Sequence, residues 1–143
     1  MDTEHEKKIV KNFFKRQLRQ RLFYEITIPN KRSKLFGRLA SDPTGALDSR
    51  YVSPIPLKGD NDCSYLLKKL IEKGALADQM AYIMCNLSPL DGKYLPLKEA
   101  IREMVHKGEP LIISCIPGKL AYFEGEEGFG PPPRYILERK QPI

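Results

Sequence analysis

Residues 110–116, PLIISCI, and 120–126, LAYFEGE, are apolar runs rich in β-branched and aromatic side chains, divided by Pro117, Gly118 and Lys119. Two such runs around a Pro-Gly turn predict a β-hairpin. This feature constrains the fold most, because hairpin strands are antiparallel by construction and their apolar face must be buried against another layer.

Further strands are legible on either side. In RYILERK (134–140) the alternation puts Tyr135 and Leu137 on one face of a closing strand. MAYIMCNL (80–87) is a buried-strand candidate, closed by the turn pairs Ser88-Pro89 and Asp91-Gly92. RYVSPIPL (50–57) is a short strand that Pro54 and Pro56 confine to a sheet edge. EEGFGPPP (126–133) is an irregular, partly extended loop.

Helical periodicity occupies the rest. DNDCSYLLKKLIEKG (60–74) has capping residues in front, an apolar stripe of Tyr65, Leu66, Leu70 and Ile71, and Gly74 where a helix stops. PLKEAIREMVHKG (96–108) carries Pro96 near its first turn and Gly108 past its end, the asymmetry expected of a helix. In EKKIVKNFFKRQLRQRLFYE (6–25) Ile9, Val10, Phe13, Phe14, Leu18 and Leu22 recur at spacings of three and four, opposite Lys8, Lys11, Lys15 and Arg19, which predicts one amphipathic helix. A shorter helix is expected in NKRSKLFGRLA (30–40), with Asn30 as its N-cap and Gly37 as a weakness, and SDPTGALDSR (41–50) reads as a loop.

The expected fold is a single α+β domain with a mainly antiparallel carboxy-terminal sheet covered by helices on one face, preceded by a basic amphipathic N-terminal helix. Its parts are a basic helical segment, 1–40, packed on a body, 41–143. A chain of 143 residues is long enough for a real core, and 41% hydrophobic with 29% charged residues excludes wholesale disorder.

Charge divides the chain at the same place. The formal charge is +6, yet residues 1–40 hold eleven Lys or Arg against four Asp or Glu, and the remainder is nearly balanced. A polyanion is the partner class this asymmetry suggests. The residues that would meet it are Lys8, Lys11, Lys15, Arg16, Arg19 and Arg21 of the opening helix, and Lys31, Arg32, Lys34 and Arg38 of the next. No RNP pattern, zinc finger or other base-reading module is present, so contact with nucleic acid would be backbone-led. Tyr82, Tyr122, Phe123 and Tyr135 could stack bases, although aromatic residues at strand spacing are more often core.

Chemistry-bearing motifs are sparse. Cys63, Cys85 and Cys115 lie 22 and 30 residues apart, which supplies no close ligand pair for zinc and no disulfide framework. Glu103 and His106 form one E-x-x-H, half of what a di-iron bundle needs. Glu124, Glu126 and Glu127 sit in a glycine-rich run of the wrong sign for phosphate, where a solvated acidic loop is the expected reading and a divalent cation held by the carboxylates, or a catalytic acid and base pair, the alternative. Ser64 and Ser114 lack a nucleophile elbow, and His5 and His106 are far apart in the chain. No metal and no cofactor are expected.

The leading expectation is a non-catalytic, intracellular binding module that contacts nucleic acid or an acidic protein through its basic helices. One alternative is a protein-interaction or oligomeric structural domain, with a homo-oligomer formed through the N-terminal helix by Phe13 and Phe14; another is a small enzyme using residues 124–127. An acidic start, MDTEHEKK, and the lack of a long apolar run lead to the expectation of no leader, no transmembrane segment and a cytoplasmic location.

Overall fold

The hairpin forms at the expected residues: β4 (Leu111–Ile116) and β5 (Leu120–Glu124) pair antiparallel, and Gly118 takes the left-handed turn position at φ 71°. It is the centre of a wholly antiparallel sheet. With β1 (Val52–Pro54), β2 (Met80–Cys85), β3 (Tyr94–Pro96) and β6 (Arg134–Glu138) the sheet runs in the order β1-β6-β5-β4-β2-β3. The computed structural model describes residues 1–56, 62–128 and 132–143. The loop expected over 126–133 therefore lies in part outside the described residues, as do Asp60 and Asn61 ahead of the third expected helix.

The α+β architecture is as the sequence implies, but its helices cover both faces of the sheet rather than one. On the first face α5 (Asp62–Glu72) and α6 (Leu97–Met104) bring Leu66, Leu70, Leu97 and Ile101 onto Ile83, Ile113, Tyr122 and Ile136. On the second, α1 (Thr3–Phe13), α2 (Arg19–Thr27) and α3 (Arg32–Ser41) bring Ile9, Phe13, Leu22, Leu35 and Leu39 onto Tyr82, Met84, Ile112 and Phe123. The reason lies in the central strands. Ala81–Cys85 and Leu111–Cys115 are buried at every position, Ser114 included, so neither strand has a wet face. Tyr82, Tyr122 and Phe123 are core, and only Tyr135 is half-buried.

The opening helix is broken. Phe14 leaves α1 with extended backbone and makes a β-bridge to Leu47, and a 3₁₀ turn at Arg16–Leu18 leads into α2. The main-chain groups freed by the break are taken up across the gap: Asp48 N donates to Phe13 O at 2.8 Å, and Lys15 N to Ala46 O at 2.9 Å. The break lets Phe13 and Phe14 both be buried. Asn30 does not cap α3, which follows a 3₁₀ turn at Pro29–Lys31, and the expected loop at 41–50 contains a short helix, α4 (Pro43–Ala46), capped by Asp42 on Gly45 N at 3.0 Å. No helix among the described residues is long and apolar enough to cross a membrane.

Candidate anion-binding groove

The ten N-terminal cations end up in different places. Arg32 is interior, in place of the surface position expected of it. Its guanidinium is bidentate to both Glu6 (2.5 and 2.7 Å) and Asp91 (2.8 and 2.8 Å), and Tyr82 donates to Glu6 at 2.6 Å. Burial alone would lower the Arg32 pKa, but the hydrogen bonds from Asp91 and Glu6 outweigh it and hold the group charged. Arg38 donates to the buried carboxylate of Glu25 at 2.9 Å, and Arg21 lies 3.6 Å from the same group. These three serve the packing of the N-terminal helices.

Lys8, Lys15, Lys31 and Lys34 lie at the surface, with no carboxylate within 4.0 Å among the described residues. Lys11, Arg16 and Arg19 converge. They wall a cavity of about 240 Å³ together with Arg50 and Arg139, and Phe14, Asp48 and Ile143 complete its lining. Five cations thus face one side-chain carboxylate. A hollow of about 530 Å³ that includes Ser53 and Lys140 shares Arg50 and Arg139 with this cavity. Another, of about 540 Å³ and lined by Gln17 and Gln20, shares Arg16 and Arg19. The three adjoin through these shared side chains, as a groove with the smallest in the middle.

Chain geometry explains the convergence. The Phe14–Leu47 bridge sets the end of α1 beside residues 46–48, and Asp48 then caps the 3₁₀ turn that carries Arg50. Pairing of Val52 with Leu137 brings the end of β6, and so Arg139, to the same edge. Arg139 lies over the Tyr51 ring at 4.5 Å, with Arg50 at 5.1 Å from the ring centre.

The guanidiniums are held in different ways. Arg50 binds Asp48 at 3.0 and 2.6 Å, and those bonds hold the Asp48 carboxyl below its usual range. Arg19 donates to Lys11 O at 3.3 Å, and Arg139 to Asn12 O at 3.4 Å and Gln141 O at 3.3 Å. Main-chain carbonyls orient a cation without neutralising it, so Arg19 and Arg139 keep their full charge in the groove. Arg19 Nε is buried and has no hydrogen-bond partner among the described residues.

Arg50, Arg139 and Lys140 were not singled out by sequence, because residues 41–143 are balanced in total charge. The available signal was local: ERK directly after a strand that pairs at an edge.

Other candidates resolve as structure. Glu124, read as part of a solvated loop or a catalytic pair, is fully buried; it accepts from Tyr122 at 2.7 Å, Arg134 at 3.2 Å and His106 N at 2.9 Å. Only Glu126 and Glu127 of that run are exposed. His106, at φ 70° just beyond α6, faces Asp62 through Nε2 at 2.8 Å and Arg134 through Nδ1 at 2.9 Å. Since Arg only donates, Nδ1 accepts and Nε2–H donates to Asp62. Glu103 is exposed.

His5 and Ser114, distant in sequence, meet at 2.6 Å, and His5 Nδ1 lies 2.9 Å from the Tyr94 hydroxyl, which donates to Asp2 at 2.5 Å. The arrangement resembles a nucleophile, base and acid in series, but Ser114 is fully buried beneath α1 and lines none of the cavities above. It ties the helix to the sheet. Phe13 and Phe14, with 0% and 2% exposure, are anchored in the chain's own core. Among the described residues no cluster of three or more His, Cys, Asp or Glu could hold a metal.

Comparison of the chain with protein-family models, curated proteins and solved structures returns no match.

Proposed function

We propose that this protein is a non-catalytic binding module that holds a polyanion, with nucleic acid as the leading class, along the groove walled by Lys11, Arg16, Arg19, Arg50 and Arg139. The observation that carries this reading is the convergence of five cations from three separate stretches of chain against one side-chain carboxylate. Guanidiniums match phosphate oxygens in a bidentate fork, so a cluster rich in Arg favours a phosphate backbone over a carboxylate-bearing protein. Arg139 and Arg50 both lie over the Tyr51 ring, at 4.5 and 5.1 Å from its centre, where they compete with any base for it. The three cysteines are unpaired, in accord with a cytoplasmic setting.

Titration of a labelled single strand at two salt concentrations tests the reading. About four phosphate contacts predict a slope of about −3 in log affinity against log salt, or roughly fifty-fold weaker binding on a fourfold rise in salt. Joint Lys11→Gln and Arg16→Gln should reduce that slope to about −1.5, whereas joint Lys31→Gln and Lys34→Gln should change it little. Absence of binding at low salt, or indifference to salt, overturns the proposal.

A further inference from the structure

Within the polyanion reading, on which this inference rests, we infer that the central cavity of the groove is a seat for the terminal phosphate of a nucleic-acid strand rather than for a phosphate inside the chain.

Charge is the first reason. An internal phosphodiester brings one negative charge, whereas a terminal monoester carries roughly −1.5 to −2 near neutral pH and three free acceptor oxygens. In about 240 Å³ the cavity gathers Lys11, Arg16, Arg19, Arg50 and Arg139, and its one side-chain carboxylate is already bound to Arg50. A dianion with three oxygens compensates up to twice as much of this excess as a monoanion does.

Preorganisation is the second. Arg19 and Arg139 are both moored to carbonyls at the carboxy-terminal end of α1, those of Lys11 and Asn12, and Arg50 is moored to Asp48. Three guanidiniums therefore stand in place before any ligand arrives, which lowers the ordering cost of binding. The moorings use only part of each fork, and the buried Arg19 Nε has no partner among the described residues. Space is the third reason: the hollow that shares Arg50 and Arg139 has about 530 Å³ for the attached sugar and the nucleotides that follow, with Lys140 beside it and its carboxylate, Glu138, paired with Lys73 at 3.0 Å.

Three strands of one sequence distinguish the cases: one with a 5′-phosphate, one with a 3′-phosphate and one with hydroxyls at both ends. One of the phosphorylated strands is expected to bind at least tenfold more tightly than the hydroxyl strand at the same salt. Arg16→Gln, whose exposed side chain makes no hydrogen bond to a described residue, should remove most of that preference while leaving the fold intact, and Arg139→Gln should do the same. Equal, salt-dependent binding of all three strands overturns the terminal seat and leaves the polyanion reading standing. Failure of all three to bind overturns both.

Discussion

Arg32 illustrates how little a residue's type says about its use. Three neighbours of the same charge, Lys31, Lys34 and Arg38, surround it in sequence, yet it alone is drawn inward, because Glu6 from α1 and Asp91 from the turn after β2 present two carboxylates to one guanidinium. The cost of taking three charges out of water is offset only while all three are present. Arg32→Ala should therefore destabilise the protein by about 3–5 kcal/mol, since it strands Glu6 and Asp91. Urea unfolding would measure it, and a loss below about 1 kcal/mol would mean that water takes over the role of the guanidinium. Glu124 repeats the lesson with the opposite sign: its neighbours Glu126 and Glu127 are solvated, while it is ringed by Tyr122, Arg134 and the His106 main chain.

At the scale of elements, the join between the hairpin and α1 is the most constrained. Gly118 turns the hairpin at φ 71°, and a Cβ placed there would come within 2.5 Å of Asn12 Nδ2. Asn12 is not free to move aside. Its amide donates to Lys8 O at 2.9 Å and accepts from Ile143 N at 2.7 Å. Gly118→Ala thus combines left-handed strain, about 1–2 kcal/mol, with disruption of that contact, and a lowering of the urea midpoint equivalent to more than about 1 kcal/mol is expected. An unchanged midpoint would show that the turn is not coupled to the helix. Hairpin, α5, β2, β6 and the start of α6 were legible because each has its own periodicity and its own punctuation. The break at Phe14 and the three-residue strand β3 were not, since both depend on partners, Leu47 in one case and β2 in the other.

For the whole molecule the second helical layer decides both stability and site. Its attachment includes His5, whose pKa is lowered by burial, with Lys8 reinforcing the shift and Asp2 opposing it. Asp2 is held low by the Tyr94 hydrogen bond and the His5 main-chain N–H. Both groups have folded pKa values below their unfolded ones, so the unfolded state binds more protons and stability rises with pH across each window. His5 contributes fully above about pH 6.5 and loses its contribution as pH falls below that; Asp2 follows below about pH 3.8. Melting temperature should accordingly drop as pH falls below about 6.5, and His5→Gln should flatten that part of the profile. A flat wild-type profile there would show that His5 is solvated.

The amino-acid sequence by itself determined the α+β class, most of the strands, the basic bias of the first forty residues and the lack of an evident metal or nucleophile motif, because periodicity, punctuation and composition are local properties. Only the tertiary structure decided that helices lie on both sides of the sheet, that Arg32 is interior, and that Lys11, Arg16 and Arg19 share a cavity with Arg50 and Arg139. Burial and electrostatic convergence depend on distances between residues far apart in the chain, and those distances exist only once the edge strand has paired and the first helix has broken.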